Sequence, residues 1–430
     1  MGRLKAIITG NVALLRRNGR IMENFFSMTL ISFLNTAFSL VLYPLLIRRL
    51  GAESYGSFVF AFSFVNYFLA LVAFGYDTVG AKYVAVADGN NDKRLKSEVL
   101  SAILAGKGLI ALAGTALYMG LVLAIPLFRE HLALYAALAL MIPINVLSTA
   151  WYYQAIQKNR VNLIIQFTAK VLLLVGVVLF VTGKEDVAVY ALCASVTTFL
   201  AMLGSLLYVL RKERIAIKRV SLGTLRLYTR EATPLFFSNM VNTIKIMGMN
   251  NAIGILLGMR ELAAFDLAYK VMTAANIAIR SLHAALFPNL VQRFSLDRAK
   301  RILRKELIVG VTGMIALMLC SGWIVRLFAG KELVPVAQPI LMILASLLVV
   351  WMFSGFLIDL VLIPTGRYRT VFINQLVSLA SLAAIGYIAV SIHRSAASVA
   401  LALVLAGVVE LVFLLLQIFY VHRKSAAKPN

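Results

Sequence analysis

Twelve apolar stretches, most of them about 20 residues long, succeed one another along this chain with short polar segments between them. They cover approximately 25–47, 55–75, 99–125, 132–156, 161–181, 187–210, 235–257, 262–287, 307–328, 335–363, 371–392 and 399–420. A helix needs about 20 apolar residues to cross a bilayer, whereas a membrane barrel shows segments of about ten with strict alternation. The pattern predicts an all-α polytopic membrane protein of about twelve transmembrane helices. Composition agrees: 61% of residues are hydrophobic, 14% are charged and mean hydropathy is +0.89, far more apolar surface than the cores of a soluble chain of 430 residues require.

Charge sets the orientation. Lys and Arg number 42 against 18 Asp and Glu, a formal net charge of +24. Such a balance can mark a nucleic-acid partner, but here the cations lie between apolar runs and do not gather on one folded face, so no nucleic acid is expected. Taken alternately from the N-terminus, one set of connecting segments holds 29 Lys and Arg and the other set 8. Cytoplasmic loops carry the excess, which places both termini in the cytoplasm. The outer connections are all short, which leaves no outer domain for catalysis. Residues 1–23 carry Arg3, Lys5, Arg16, Arg17 and Arg20 on a mixed segment, read as an amphipathic cytoplasmic lead-in and not as a cleavable signal. Cys193 and Cys320 stand in separate apolar runs and read as small packing residues, with no disulfide and no metal site.

The longest inner connection, 211–233, follows the sixth span and divides the chain into two halves. A shift of 207 residues lays Asn35-Thr36 on Asn242-Thr243, Leu50-Gly51 on Leu257-Gly258, Phe58 on Phe265 and Lys93-Arg94 on Lys300-Arg301. One register serving separated places points to two homologous bundles. The expected organisation is a lead-in (1–23), a first six-helix bundle (24–210), a basic cytoplasmic linker (211–233), a second six-helix bundle (234–421) and a cytoplasmic tail (422–430), with a central cavity. Tyr43-Pro44 and Ile363-Pro364 mark either kinks or helix ends.

Charges inside the spans are the candidates for function, because charge at membrane depth is costly and is normally turned to a partner or a wet cavity. They are Lys107, Lys170, Lys245, Lys270, Arg280, Asp359 and Glu410, with Lys170, Lys245 and Glu410 nearest the middle of their spans. Five cations against two anions leave a surplus of three positive charges, which suits a cavity that receives an anion; converging Lys and Arg bind a pyrophosphate well. On this reading Lys245, Lys270 and Lys170 contact the pyrophosphate, while Arg280 and Lys107 attract it at the cytoplasmic side. Glu410 and Asp359 serve either as counter-charges or as ion-coupling sites. Amides such as Asn35, Asn66, Asn242 and Asn276 both donate and accept, as a hydroxyl-rich ligand requires. Trp151, Tyr152, Tyr153, Trp323 and Trp351 are placed in interfacial belts. No nucleotide-binding loop, HExxH or GxSxG is present, so no cofactor, metal or enzymatic activity is expected.

Several motifs carry a family resemblance. The run Pro44-Leu-Leu-Ile-Arg-Arg-Leu-Gly51-Ala-Glu53-Ser-Tyr55-Gly56, then Phe74-Gly75-Tyr76-Asp77 ahead of Ala81-Lys82-Tyr83-Val84-Ala85, resembles the amino-terminal signature of Wzx-type O-antigen flippases. Ala264-Phe265-Asp266-Leu267-Ala268-Tyr269-Lys270 followed by Leu286-Phe287-Pro288 resembles a later part of that family. The resemblance implies the multidrug/oligosaccharidyl-lipid/polysaccharide exporter superfamily and the transfer of an undecaprenyl-pyrophosphate-linked oligosaccharide across a bacterial inner membrane by alternating access. It implies membrane lipids, polysaccharide polymerase and chain-length proteins as partners. Members often carry an acidic residue in the seventh span, near where this chain has Lys245. The rival readings are a cation-coupled multidrug antiporter, against which the net positive interior argues, and a membrane polysaccharide polymerase or ligase, against which the short outer connections argue.

Overall fold

A computed structural model describes residues 2–291, 296–358, 362 and 367–426, with the side chains of 2–26, 28–29, 278–302, 305, 368 and 420–426 outside the description. Every regular element among the described residues is helical. Helix α1 (Gly2–Ala73) continues through Pro44 and breaks only at Gly51, where φ is 78° and ψ is 166°. The turn therefore falls at the glycine, which takes a left-handed φ without a Cβ penalty, and not at the proline. Ile363-Pro364 lies outside the described residues.

Short helix α2 (Tyr76–Gly89) leads into α3 (Lys93–Ala124), whose first turn is capped by Asp92 accepting from the Leu95 amide at 2.9 Å. The next crossing is broken into α4 (Pro126–Arg129), α5 (Leu132–Ala139), α6 (Met141–Ile144) and α7 (Ala150–Ala155). Then come α8 (Asn159–Phe180), α9 (Val187–Lys212), α10 (Leu222–Leu257) and α11 (Met259–Val291). The chain ends with α12 (Leu296–Ala329), α13 (Val334–Ala345), α14 (Leu347–Leu357), α15 (Tyr368–Ile392) and α16 (Ala396–Ala426).

Nine helical stretches among the described residues are long and apolar enough to cross a membrane, and the first, Leu30–Gly89, has 60 residues and can cross twice. Helix α10 is not among the nine, although at 36 residues it has ample length. Its polar and charged residues lower the mean hydropathy, as expected of a helix that turns one face to a polar interior. Gly51 and Gly258, 207 positions apart, both have positive φ (78° and 100°) and both stand at a helix break, the second between α10 and α11.

The chain divides into two compact units. The first contains Met1–Asn35, Phe68–Val181 and Ala188–Phe237; the second contains Thr36–Tyr67, Thr182–Val187 and Ser238–Asn430. The second half of α1's first crossing thus belongs with the C-terminal helices, and the basic linker with the N-terminal ones.

In the first unit, Tyr76, Leu100, Ile103, Trp151, Tyr152, Tyr153, Val209 and Tyr228 form one buried cluster. Trp151, Tyr152 and Tyr153 are thereby core residues and not the interfacial belt expected of them; their side chains pack between α2, α3 and α9 because apolar contact there outweighs exposure at a headgroup level. The linker lies extended on α3: the amides of Ala216 and Lys218 donate to Ser97 Oγ (3.3 Å) and Ser101 Oγ (2.8 Å). Four residues of helix rise about 6 Å and two of an extended chain about 6.6 Å, so the spacings match. Below it, Glu231 accepts from Tyr83 Oη (2.5 Å) and pairs with Lys82 (3.0 Å). The tyrosine hydroxyl first, and then the lysine, hold its carboxyl below the ordinary carboxylate range.

In the second unit, Leu262, Ala263, Ala264, Phe265, Leu267 and Ala268 are all fully buried. Tyr43 Oη donates to the Ala263 carbonyl at 2.8 Å. Gly56 packs directly on the turn at the start of α11; a Cβ there would stand 1.9 Å from the Met259 carbonyl oxygen. Both thiols are free, and Cys320 is exposed where packing had been expected.

Candidate functional site

Five helices of the second unit enclose a cavity of about 340 Å³. Helix α10 contributes Asn242 and Lys245, α11 Tyr269 and Asn276, α14 Trp351 and Ser354, α15 Gln375 and Ser378, and α16 Glu410. Each pair from one helix lies three or seven residues apart, which is the spacing that puts side chains on one face. Four residues singled out from the sequence, Lys245, Asn242, Asn276 and Glu410, therefore meet in one place although up to 168 positions separate them.

The polar groups here are incompletely matched. Lys245 Nζ donates to Ser378 Oγ at 3.4 Å, a long contact that uses one of its three hydrogens. Asn374 Nδ2 donates to Glu410 Oε1 at 2.9 Å. Ser354 Oγ, Asn374 Oδ1 and Gln375 Oε1 are buried with no hydrogen-bond partner among the described residues. Leaving such atoms unmet costs about 1–3 kcal/mol each, so the site is built to be met by water or by a ligand. A lysine and a glutamate share the cavity without an ion pair within 4.0 Å between them, and each remains available to something else.

The remaining candidates lie elsewhere. Lys107 is 0% exposed, with its Nζ 2.5 Å from Asp77 Oδ1. Lys270 Nζ is 2.6 Å from Asp266 Oδ2 and donates to Tyr55 Oη at 2.6 Å, while Tyr55 Oη donates to the same Asp266 oxygen at 2.7 Å. Asn66 spends its amide on the Phe62 carbonyl of its own helix at 2.6 Å. Lys170 lines a different cavity, in the first unit, together with Asn162 and Gln166. Asn35 lies in the first unit, on α1. The Arg280 side chain and Asp359 are outside the described residues.

This geometry corrects the charge arithmetic. Asp77, two residues beyond its span, and Asp266, in the first turns of its span, were both left out of the embedded charges, yet both reach embedded lysines, so the surplus of three cations falls to one. A four-residue spacing on one helix was a signal for the pair Asp266–Lys270; nothing local could have announced Asp77–Lys107, 30 residues apart. The hydroxyls of Ser354 and Ser378 and the indole of Trp351 were also missed, since only the assembled helices bring them to Lys245.

The profile of the polysaccharide biosynthesis protein family matches residues 21–294. A protein of Escherichia coli (strain K12), provisionally named as an O-antigen transporter, is 20% identical over 316 residues, which cover 72% of this chain and 76% of that protein. Among solved structures, an inward-facing multidrug resistance MATE family transporter of the MOP superfamily superposes with a TM-score of 0.71 at 15% identity, covering 93% of this chain and 96% of that one. The lipid II flippase MurJ in an inward closed conformation gives 0.64 at 15% identity, covering 90% and 86%. These structures share the fold, and the matches span nearly the whole chain.

Proposed function

Since this chain belongs to the polysaccharide biosynthesis protein family, and is a multi-pass membrane transporter and no enzyme, we propose that it is a flippase for a lipid-linked oligosaccharide of the undecaprenyl-pyrophosphate type. It works by alternating access in a bacterial inner membrane with both termini in the cytoplasm. The observation that carries this reading is the cavity of the second unit, where the Lys245 ammonium stands among amides and hydroxyls.

The chemistry follows from the lining. A pyrophosphate presents oxyanion acceptors to Lys245, whose two unused hydrogens can be donated without breaking an ion pair. Sugar hydroxyls meet Asn242, Asn276, Gln375 and Ser354, groups that accept as well as donate, while the polyprenyl chain stays in lipid. Lys107 and Lys270 take no part in binding, because each is already neutralised by a carboxylate within 2.6 Å.

A second reading rests on Glu410. A carboxylate inside the cavity, together with the likeness to a MATE transporter, favours a cation-coupled multidrug antiporter in which Glu410 takes up a proton or ion.

One assay separates them: leaflet transfer of a fluorescent undecaprenyl-pyrophosphate oligosaccharide in liposomes holding the purified protein, the Lys245→Ala variant, or no protein. Transfer that needs both the protein and Lys245 is expected. Transfer equal to empty liposomes, with cationic dye efflux that depends on Glu410, would replace the flippase by the antiporter.

A further inference from the structure

The cavity of the second unit has an aromatic wall that its polar contacts leave unexplained. Trp351 on α14 and Tyr269 on α11 both line it, and their rings meet edge to face with centroids 6.3 Å apart and planes at 82°. Tyr269 is itself stacked on the fully buried Phe265 at 6.1 Å and 15°, so the indole rests against a supported ring. A neighbour on the same helix makes room beside it: Gly355 lines the cavity, and a Cβ there would meet nothing within 4 Å. At about 340 Å³ the cavity holds roughly eleven waters at about 30 Å³ each, about as many heavy atoms as a single hexose has.

The buried polar atoms left over here have one bias. Gln375 Oε1 and Asn374 Oδ1 accept and cannot donate, and both are without a partner among the described residues. Glu410, whose Oε1 takes the Asn374 amide, adds a carboxylate beside them. Ser354 Oγ, three residues from Trp351 and on the same face of α14, is unmet as well, and alone of these it can do either. An occupant that serves them brings several donors, together with an apolar face for the indole, which water would leave unserved. A carboxylate brings neither, and it would meet Glu410 as a like charge. A neutral sugar ring has both: hydroxyl donors around its rim, and C–H groups on its flat face whose partial positive charge suits the negative face of an aromatic ring.

We infer that Trp351 is the platform on which the sugar next to the pyrophosphate stacks, that Gln375, Asn374 and Ser354 take its hydroxyls, and that the cavity thereby selects a neutral ring over an acidic one. This rests on the flippase reading, in which Lys245 takes the pyrophosphate of the same molecule. Gly355 leaves the space that the ring enters.

The test measures binding to the full-length protein, in a detergent without a sugar headgroup, by ligand-induced thermal stabilisation. The probes are farnesyl pyrophosphate alone, the same lipid carrying glucose, and the same lipid carrying glucuronate. Glucose is expected to raise the affinity roughly ten-fold over the bare lipid, and glucuronate to bind about as the bare lipid does. Trp351→Leu should lose the gain from glucose, and Trp351→Phe, which keeps a flat ring, should recover part of it. Gly355→Leu, which fills space and removes no contact, should lose it too. Native tryptophan emission should shift with the glucose-bearing probe and not with the bare lipid, a signature that a merely structural Trp351 would not give. Melting without ligand is read in the same run; should Trp351→Leu fail to fold, Gly355→Leu and the native emission decide the matter. A glucose gain that both leucine variants keep, or a glucuronate gain equal to that of glucose, would overturn the platform and its selectivity. Either result, with leaflet transfer of the oligosaccharide intact, leaves the flippase reading standing. If the bare lipid does not bind the native protein while tetraphenylphosphonium binds and needs Trp351, the flippase reading falls as well and the aromatic wall is a cation–π site.

Discussion

Lys270 and Asp266 stand one helical turn apart on α11, with 2.6 Å between Nζ and Oδ2, and both hold the hydroxyl of Tyr55 from α1. The phenol accepts from the ammonium and donates to the carboxylate, so all three groups are served in a ring of hydrogen bonds. Tyr43 stacks edge-on against Tyr55 with centroids 4.9 Å apart, and its own hydroxyl reaches the Ala263 carbonyl. Two sequence motifs more than 200 positions apart are thus one piece of structure within the second unit.

Removing one member of this ring should cost more than removing two. Lys270→Met or Asp266→Asn leaves a charge with no counter-ion, a loss of about 2 kcal/mol, below the about 3–5 kcal/mol of a fully buried pair because 28% of the lysine side chain is exposed. The double variant should recover much of that loss. A double-mutant cycle on thermal unfolding of the purified protein checks it; additive losses would mean that the pair is not coupled.

Gly56→Ala should lower stability by about 1–3 kcal/mol, since its Cβ would press on the Met259 backbone, which has no flexible end to move aside. Melting temperature and the yield of folded protein after extraction are the measurements. Gly89→Ala, where nothing lies within 4 Å, is the control and should be close to neutral.

Glu410→Gln should strengthen binding of an anionic headgroup. The substitution removes a like charge from the cavity at a gain of about 1 kcal/mol, about a factor of five in affinity, while the amide oxygen can still accept from Asn374. Binding of an undecaprenyl-pyrophosphate analogue to both proteins gives the ratio. An unchanged affinity would place the pyrophosphate away from Glu410.

Acid should weaken the contact between the linker and α2. Glu231 has its carboxyl held below the ordinary value of 4.5 by Tyr83 and Lys82. A depressed carboxyl contributes stability that is fully present above that ordinary value and is lost as pH falls through the lowered one. The melting difference between the native protein and Glu231→Gln should therefore be constant above about pH 5 and close on acidification below 4.5.

The embedded lysines show where sequence reading stops. Lys245, Asn242, Asn276 and Glu410 were separately conspicuous because each interrupts an apolar run, and they share a cavity. Lys107 and Lys270 were conspicuous for the same reason, yet each is neutralised by an aspartate that the reading of embedded charges passed over. Asn162, Gln166 and Lys170, which line the cavity of the first unit, could be grouped from their spacing, but hydroxyls that line it with them come from a helix about 30 residues further on.

By itself the sequence determined the all-helical membrane class, the internal shift of 207 residues and which side chains pay a desolvation cost in lipid, because hydropathy and helical period are local properties of a chain. Tertiary structure decided which of those charges face a cavity and which are cancelled, that Gly51 and not Pro44 turns the first helix, and that 36–67 belongs with the C-terminal helices. Those outcomes depend on distances of a few ångströms between segments far apart in sequence, and only the packing of one helix face on another fixes such distances.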